Sequence, residues 1–507
     1  MYDYIIVGGG SAGCVLAHRL SEQFEVLVLE AGGPREDRGA INDPSRLREL
    51  TGSDLDWEFT TEPQSNLNDR EIPWPRGKVL GGSSVINGMA WVRGNPYDYD
   101  DWASHGNDGW SYDDMLSSFK RSETLAVEGD EGYHGYDGPL HVSRRATPNE
   151  FSERLVAAAE EVGMERNTDF NGERQAGVGY YHSTIKDGSR HDAAAAYIKP
   201  VLDRPTLDVE TGAHVSRVTF DGDRAAGVVY RRDGARHEAR TVEDGEVVLS
   251  AGSIQSPQLL MLSGIGPADH LDEHGIDVRV DRPGVGRNLQ DHLRVSVAYE
   301  SPEPIGRTGD GEEATRYDRA LVGAFDYTEP DVPAPDIQFG MALGIPPDKP
   351  ARGYTVTVFP IRPTSRGRLR LRSADPLDAP LIDPQYLSTE TDVDDVVTCV
   401  RRGRAVAQAD ALSEFRDHEV RPGPEVTTDE EIAQYARKTA LSGFHPVGTC
   451  KMGDDDMAVV DDDLRVHGVE GLRVVDASVM PRITSGNTNA PTVAIAETGA
   501  DLIRRSR

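Results

Sequence analysis

The chain opens on an apolar, β-branched run, Tyr2-Asp-Tyr-Ile-Ile-Val7, that stops at three glycines. A short unbroken run of this kind reads as a strand buried in a parallel sheet. From Ser11 to Leu20 the period changes, and Ala12, Val15, Leu16 and Leu20 recur at helical spacing. A second apolar strand, Glu25 to Leu29, ends in Glu30. The same switch from strand to helix returns at Glu246–Ser250 and Gly252–Leu262, closed by Gly264-Ile-Gly-Pro267. Helical spacing also covers Val393 to Ala409 and Ala490 to about Arg504, with Pro491 in the first turn of the latter, where proline is tolerated. Tyr354–Phe359 and Gly367–Arg372 alternate as strands of a second sheet. These patterns predict an α/β protein. One domain is Rossmann-like, and the other is an α+β domain on a mixed or antiparallel sheet.

The glycines of Gly8-Gly9-Gly10-Ser11-Ala12-Gly13 sit at the first strand-to-helix turn. There Gly8 permits the tight turn, Gly10 lets a pyrophosphate approach the backbone, and Gly13 lets helix and strand pack closely. Glu30 follows Gly13 by 17 residues, where a carboxylate accepts hydrogen bonds from a ribose 2′-hydroxyl and disfavours a 2′-phosphate. The pattern predicts a dinucleotide site and leaves FAD and NAD open.

At 507 residues the chain is expected to form two domains or more. No run reaches the ~20 apolar residues that cross a bilayer, and no signal peptide is expected before a strand that starts at residue 2. Cys14, Cys399 and Cys450 are widely spaced and odd in number, which suits a reducing cytoplasm and suggests no disulfide framework or metal site. Charge changes the picture. Seven Lys and 47 Arg stand against 86 acidic residues, a net charge of −32. Such a chain repels nucleic acid and anionic lipid. The runs Asp454–Asp456 and Asp461–Asp463 read as solvated turns. The whole balance fits a high-salt cytoplasm, where the Debye length is roughly 3 Å at molar salt.

Two further stretches carry chemistry. Pro73-Trp-Pro-Arg-Gly-Lys-Val-Leu-Gly-Gly-Ser-Ser-Val-Ile-Asn-Gly-Met-Ala90 is a second Gly/Ser-dense loop, whose amides and hydroxyls can bind a phosphate or the edge of a polar ring. Near the C-terminus, Phe444-His445-Pro446-Val447-Gly448-Thr449 holds an imidazole in a Gly/Pro-flanked turn. With Gly252–Gly266, Val475-Asp476-Ala477-Ser478 and Asn487–Thr492, these stretches resemble the signatures of the glucose–methanol–choline (GMC) oxidoreductases. The likeness is nearest to the choline dehydrogenase-like flavoproteins and runs from Met1 to about Ile503.

The resemblance implies FAD. Gly8, Gly10, Ser11 and Gly13 would hold its pyrophosphate, Glu30 the adenosine ribose, and Val215 would lie near the adenine. Val79, Gly82, Ser83, Asn87, Gly88 and Met89 would line the flavin, and Asp476 and Ala477 would meet the ribityl chain. Some relatives attach the flavin through a His in the second loop. The matching residue here is Ile86, so FAD is expected to be non-covalent. The implied activity is oxidation of an alcohol CH–OH to a carbonyl, with electrons passed to an acceptor other than oxygen. The alternatives are a peroxide-producing alcohol oxidase or a flavin-containing lyase.

Such a reaction needs a base near the working pH, for which His is suited. His445 is that residue by context, whereas His18, His105 and His237 read as packing or surface residues. Asn487 matches the position where relatives carry a second His or an Asn, and would donate a hydrogen bond to the alcohol oxygen. Asn489, counted with the cofactor-facing residues, reads as part of the cap of the last helix. That helix would point its positive end at the flavin, a stabilisation of about 0.3–2 kcal/mol for the reduced form. His292, in Asn288-Leu-Gln-Asp-His292, reads as structural support, and Tyr97, Trp57 and Trp91 are candidate apolar walls. The expected FAD-binding domain is discontinuous: 1–145, 206–296 and 443–507. The substrate domain takes 146–205 and 297–442, and Ser301–Glu313 is expected to be a mobile loop near the entrance.

Overall fold

The N-terminal apolar run forms β1 (Tyr2–Val7), and the glycine turn leads into α1 (Ser11–Leu20). β2 (Val26–Glu30) is buried at every residue and pairs in parallel with β1, from Tyr4 opposite Val26 to Val7 opposite Leu29. A parallel pair needs a crossover, which α1 supplies. β3 (Leu207–Thr211) extends the sheet in parallel on the far side of β2. β4 (His214–Asp221) and β5 (Arg224–Arg232) form an antiparallel ribbon that hands over to β6 (Ala235–Leu249). The first part of β6 is mostly exposed and belongs to the ribbon. Its buried end pairs in parallel with β1 and with β7 (Leu472–Val474). The computed structural model describes residues 1–34, 39–144, 148–305, 321–345 and 349–507.

Two helices complete this half, α2 (Gly252–Leu262) straight after β6 and α3 (Asn489–Arg505) at the C-terminus. α1 and α3 are locked by a buried carboxylate: Glu497 accepts from Arg19 Nε at 2.9 Å and from Arg121 Nε at 2.9 Å.

A second sheet has seven strands and only antiparallel pairs. Its order is Glu419–Arg421, Leu293–Tyr299, Lys349–Pro360, Ile337–Ile345, Val322–Asp326 and Gly177–Tyr180, with Leu441–Ser442 also pairing to Leu293–Tyr299. The helix Glu390–Gln408 covers one face. A Cβ on its Gly403 would lie 3.0 Å from Val358 Cγ1, and Tyr354 donates to Ala407 O at 2.7 Å. The opposite face carries Gln338, Gly340, Ala342, Thr357 and Phe359, and it looks into a cavity shared with the glycine turn after β1.

One expected element changes its partner. Of Gly367–Arg372, Arg368–Arg370 is strand, and it pairs with Leu381–Asp383 in a ribbon of its own outside the large sheet. The expected break after Ser296 falls inside the strand Leu293–Tyr299, because that strand is paired along its length in the antiparallel sheet. The expected loop Ser301–Glu313 lies outside the described residues from residue 306 on, as do the residues at the expected boundary near 145.

Candidate active site

One cavity of about 470 Å³ reaches from the glycine turn after β1 to the inner face of the antiparallel sheet. At the first end the backbone is held by close approaches. Gly8 has φ +99°, and a Cβ on it would lie 2.6 Å from Ser250 O. A Cβ on Gly13 would lie 1.9 Å from Gly8 O, so α1 rests directly against the strand turn. Gly10 is the opposite case. A Cβ there would have Ser250 O, at 3.9 Å, as its nearest neighbour, which leaves the start of α1 open to the cavity. No side chain caps α1; Asn489 Nδ2 instead donates to Ser11 Oγ at 3.0 Å. Uncapped helix amides in a glycine turn are what a phosphate needs.

Glu30 stands at the end of β2, buried, and accepts from Gly9 N at 2.9 Å and Gly32 N at 2.7 Å. Burial raises its pKa against the lowering effect of those two amides and of Lys78. Asp476 is held the same way, by Gly252 N at 2.9 Å, Ser256 Oγ at 2.6 Å and Ser478 N at 2.8 Å. Gly8, Gly10, Ser11, Glu30, Gly82, Ser83, Asn87, Gly88, Met89, Val215, Asp476, Ala477 and Asn489 all line the cavity. Gly13 and Val79 do not. Gly13 takes the packing role, and Val79 is fully buried in a cluster with Ile41, Leu50, Leu55, Val85 and Ile86. Asn489 is the first residue of α3, not its cap. Thr488 holds that position, without a side-chain cap bond. The cradle therefore fits a dinucleotide: open amides, small residues and a carboxylate occur in the order such a ligand requires.

Of the expected apolar walls, Trp57 lines the cavity beside His214 and Val215, and Lys78 Nζ lies 4.5 Å from its ring centroid. Trp91 is fully buried, with Nε1 donating to Glu123 at 2.7 Å. Tyr97 lies under Arg362, 4.7 Å from its guanidinium carbon, and is not a lining residue.

At the other end, His445 and Asn487 meet as expected: His445 Nε2 and Asn487 Nδ2 are 3.0 Å apart. The turn that carries the imidazole is pinned from several sides. Asp291 Oδ1 accepts from His445 N at 2.7 Å, and its other oxygen accepts from Ser442 Oγ at 2.5 Å and from the Tyr386 hydroxyl. Arg76 Nη2 donates to Phe444 O at 2.8 Å. His292 lies behind the imidazole, Nδ1 to Nδ1 at 3.0 Å. Gln338 Nε2 donates to Asn487 Oδ1 at 2.9 Å. Sequence reasoning missed Gln338, Tyr181, Arg76 and Arg294, all of which line this cavity. A polar Gln338 in an otherwise apolar strand was the one available signal.

Burial first, and then His292, Arg76 and Arg294, hold the His445 pKa well below the ordinary imidazole range. Burial brings His292 down to about 3 and pushes Asp291 up to about 6, against its hydrogen bonds and Arg76. His445 is therefore neutral at ordinary pH, with one bare ring nitrogen. Among the described residues one trio, His270, Glu273 and His274, is close enough to hold an ion. Both nitrogens of His270 are engaged, Nε2 with Leu371 N at 2.9 Å and Nδ1 with Arg370 Nη2 at 3.0 Å.

Two family models described as GMC oxidoreductase match the chain, the N-terminal one over residues 2–294 and the C-terminal one over residues 363–496. The chain belongs to the GMC oxidoreductase family. Among curated relatives, the alcohol dehydrogenase (acceptor) of Pseudomonas putida is 42% identical, over 100% of this chain and 96% of its own length. The mitochondrial choline dehydrogenase of Mus musculus is 44% identical, over 99% of this chain and 89% of its own. Among solved structures, pyridoxine 4-oxidase from Mesorbium loti superposes with a TM-score of 0.92 at 33% identity, covering 99% of each chain. The GMC fold thus spans both sheets and the cavity between the cradle and His445.

Proposed function

We propose that this GMC oxidoreductase oxidises an alcohol CH–OH group to a carbonyl with FAD as cofactor and His445 as base, and passes the electrons to an acceptor other than oxygen. The observation that carries the reading is a neutral, buried imidazole, paired to an amide, in the same cavity as a dinucleotide cradle. Names given to relatives, alcohol dehydrogenase (acceptor) and choline dehydrogenase, support it. Gly8, Gly10 and Ser11 would hold the pyrophosphate, Glu30 the ribose, and Gly82 to Met89 with Ala477 the ring system. When bound, the flavin supplies the hydride acceptor. His445 Nε2 takes the hydroxyl proton, Asn487 Nδ2 orients the oxygen, and the apolar faces of Phe359 and Leu321 keep water out. Ile86, which lines the cavity, offers no nucleophile. FAD is therefore bound without a covalent link, and acid precipitation should release all of it.

Substrate charge follows from the lining. Among the described residues, the half of the cavity around His445 holds Arg294 and no carboxylate. A quaternary ammonium finds aromatic faces there, Tyr181 and Phe359, but a guanidinium in place of a counter-charge, so neutral alcohols are expected to outperform choline. The two sheets serve as a cofactor unit and a substrate unit. Three buried cysteines that form no disulfide support a reducing cytoplasm, and the charge of −32 supports a high-salt one.

The test is anaerobic bleaching of the FAD-loaded enzyme by a panel of alcohols in molar salt, followed by turnover with a dye acceptor and oxygen uptake. His445→Ala should lower turnover about 10²–10⁴-fold, the usual range for a general base. Near-normal rates in that variant, with FAD retained, would sink the assignment.

A further inference from the structure

One main-chain carbonyl sets the direction of the hydrogen bonds around His445. Ile361 O can only accept, so His292 Nε2, 3.0 Å away, carries a proton. A neutral imidazole then has a bare Nδ1, and that atom lies 3.0 Å from His445 Nδ1, which must be the donor. His445 Nε2 is left with its lone pair, facing Asn487 Nδ2 at 3.0 Å. The far end of the chain gives the same answer independently. The Tyr181 hydroxyl donates to Phe339 O at 2.8 Å, so it accepts from Gln338 Nε2 at 2.9 Å. The same Gln338 nitrogen donates to Asn487 Oδ1 at 2.9 Å, which turns the Asn487 amino group towards His445. Two main-chain carbonyls, Phe339 O within the strand Ile337–Ile345 and Ile361 O just past the strand Lys349–Pro360, thus bracket one polarity. The other tautomer of His445 would set N–H against N–H at Asn487 and lone pair against lone pair at His292.

We infer that His292 is a positioning residue: by accepting from His445 Nδ1 it keeps that proton in place and reserves Nε2 for the substrate hydroxyl. This rests on the reading of His445 as the base. His292 is buried and stays neutral down to about pH 3, so it acts as a neutral acceptor and not as a second cation. It supports the imidazolium that forms when Nε2 gains its proton, as an oriented acceptor behind a catalytic imidazole does. The other charged or titratable groups facing the pair are Arg76, Arg294 and the Asp291 carboxylate, with Tyr386 and Ser442 on that carboxylate.

Two variants of the FAD-loaded enzyme separate this role from packing. His292→Leu keeps the volume and removes both hydrogen bonds. His292→Gln can accept from His445 Nδ1 and donate to Ile361 O. The leucine variant should lose on the order of 10–100-fold in kcat with little change in KM, the scale of losing such an outer partner. A charged His292 would lower the His445 pKa, but above about pH 3 His292 is neutral and acts as an acceptor for Nδ1–H, so its loss should take the acid limb of kcat/KM to lower pH. The glutamine variant should recover most of the rate. The reverse ranking, or a leucine variant with wild-type rate and pH profile, would overturn the role. A second readout needs no variant to fold. Nitrogen-15 spectra of histidine-labelled wild-type protein should show Nδ1–H with bare Nε2 for His445 and Nε2–H for His292, and the opposite pair of tautomers refutes the inference. If His445→Ala keeps full activity, the reading of the base fails instead, whatever the tautomers are.

Discussion

An imidazole is a base only while one ring nitrogen is bare, and at position 445 burial and two nearby guanidiniums keep it so. The folded pKa lies below the unfolded one of about 6.5. The neutral form therefore persists below the usual range, and the acid limb of kcat/KM in the free enzyme should fall below pH 6.5. A limb at or above that value would contradict the buried geometry. Asn487→Asp should move the limb upward, since a carboxylate 3.0 Å from Nε2 favours the imidazolium. It should also cost rate, because an ionised carboxylate donates nothing to the alcohol. His445 and Asn487 were legible because each sits in a short local signature of glycine, proline and asparagine. Gln338 and Arg294 were not, since each comes from a strand whose neighbours are set by sheet register, and a single sequence does not print register. Val79 shows a related limit: its loop lines the cavity, while burial of its own side chain in a hydrophobic cluster is a tertiary matter.

Elements with one strong period were read almost to the residue. β1 and α1 coincide with their expected bounds, and α3 begins one residue earlier than Ala490. The helix Glu390–Gln408 starts before the expected Val393, because its first turn is polar and is announced by a cap, Thr389 accepting from Asp392 N at 3.3 Å, and not by apolar spacing. Gly367–Arg372 alternated convincingly, yet partner choice is a tertiary matter that alternation leaves open. At this scale Gly13→Ala is informative: the added methyl must displace Gly8 O from 1.9 Å. It should cost about 1–3 kcal/mol, as overpacking does, and should weaken FAD retention more than Asn489→Ala does. Equal melting temperature and FAD content would show that the turn yields freely. A buried network joins the strand Glu123–Leu125 to three loops, those of Arg93, His134 and Asp169. Glu123 accepts from Arg93 Nη2 at 2.6 Å and meets His134 Nδ1 at 2.7 Å, while His134 Nε2 meets Asp169 at 2.7 Å. Burial opposes the His134 cation, but Asp169 and Glu123 raise its pKa on balance. The stabilisation is thus fully present below pH ~6.5 and is lost as pH rises through the raised folded value. His134→Leu should flatten the alkaline decline in melting temperature; an unchanged decline would assign it elsewhere.

For the whole molecule the sequence carried the charge plainly and the assembly poorly. The parallel sheet was written in consecutive motifs, whereas the antiparallel one gathers strands from residues 177 to 442 and could be expected only as a type. The charge leads to the last prediction. Acids outnumber bases by 86 to 54, so self-repulsion acts across the surface and destabilises the compact state in dilute buffer. Salt has two opposed effects. It weakens exposed pairs such as Arg465–Asp463 and Arg46–Glu49, which contribute little to stability. It also screens the uncompensated negative field, which no pairing removes. Pairs that lock elements together, such as Arg19–Glu497 and Arg93–Glu123, have a fully buried carboxylate and are screened far less. Relief of repulsion therefore wins. Melting temperature and dye-linked activity should both rise from dilute buffer to molar NaCl, with KCl equivalent, and level off as the Debye length nears ~3 Å. A melting temperature that is flat or falls with salt would mean that the surface pairs outweigh the net field.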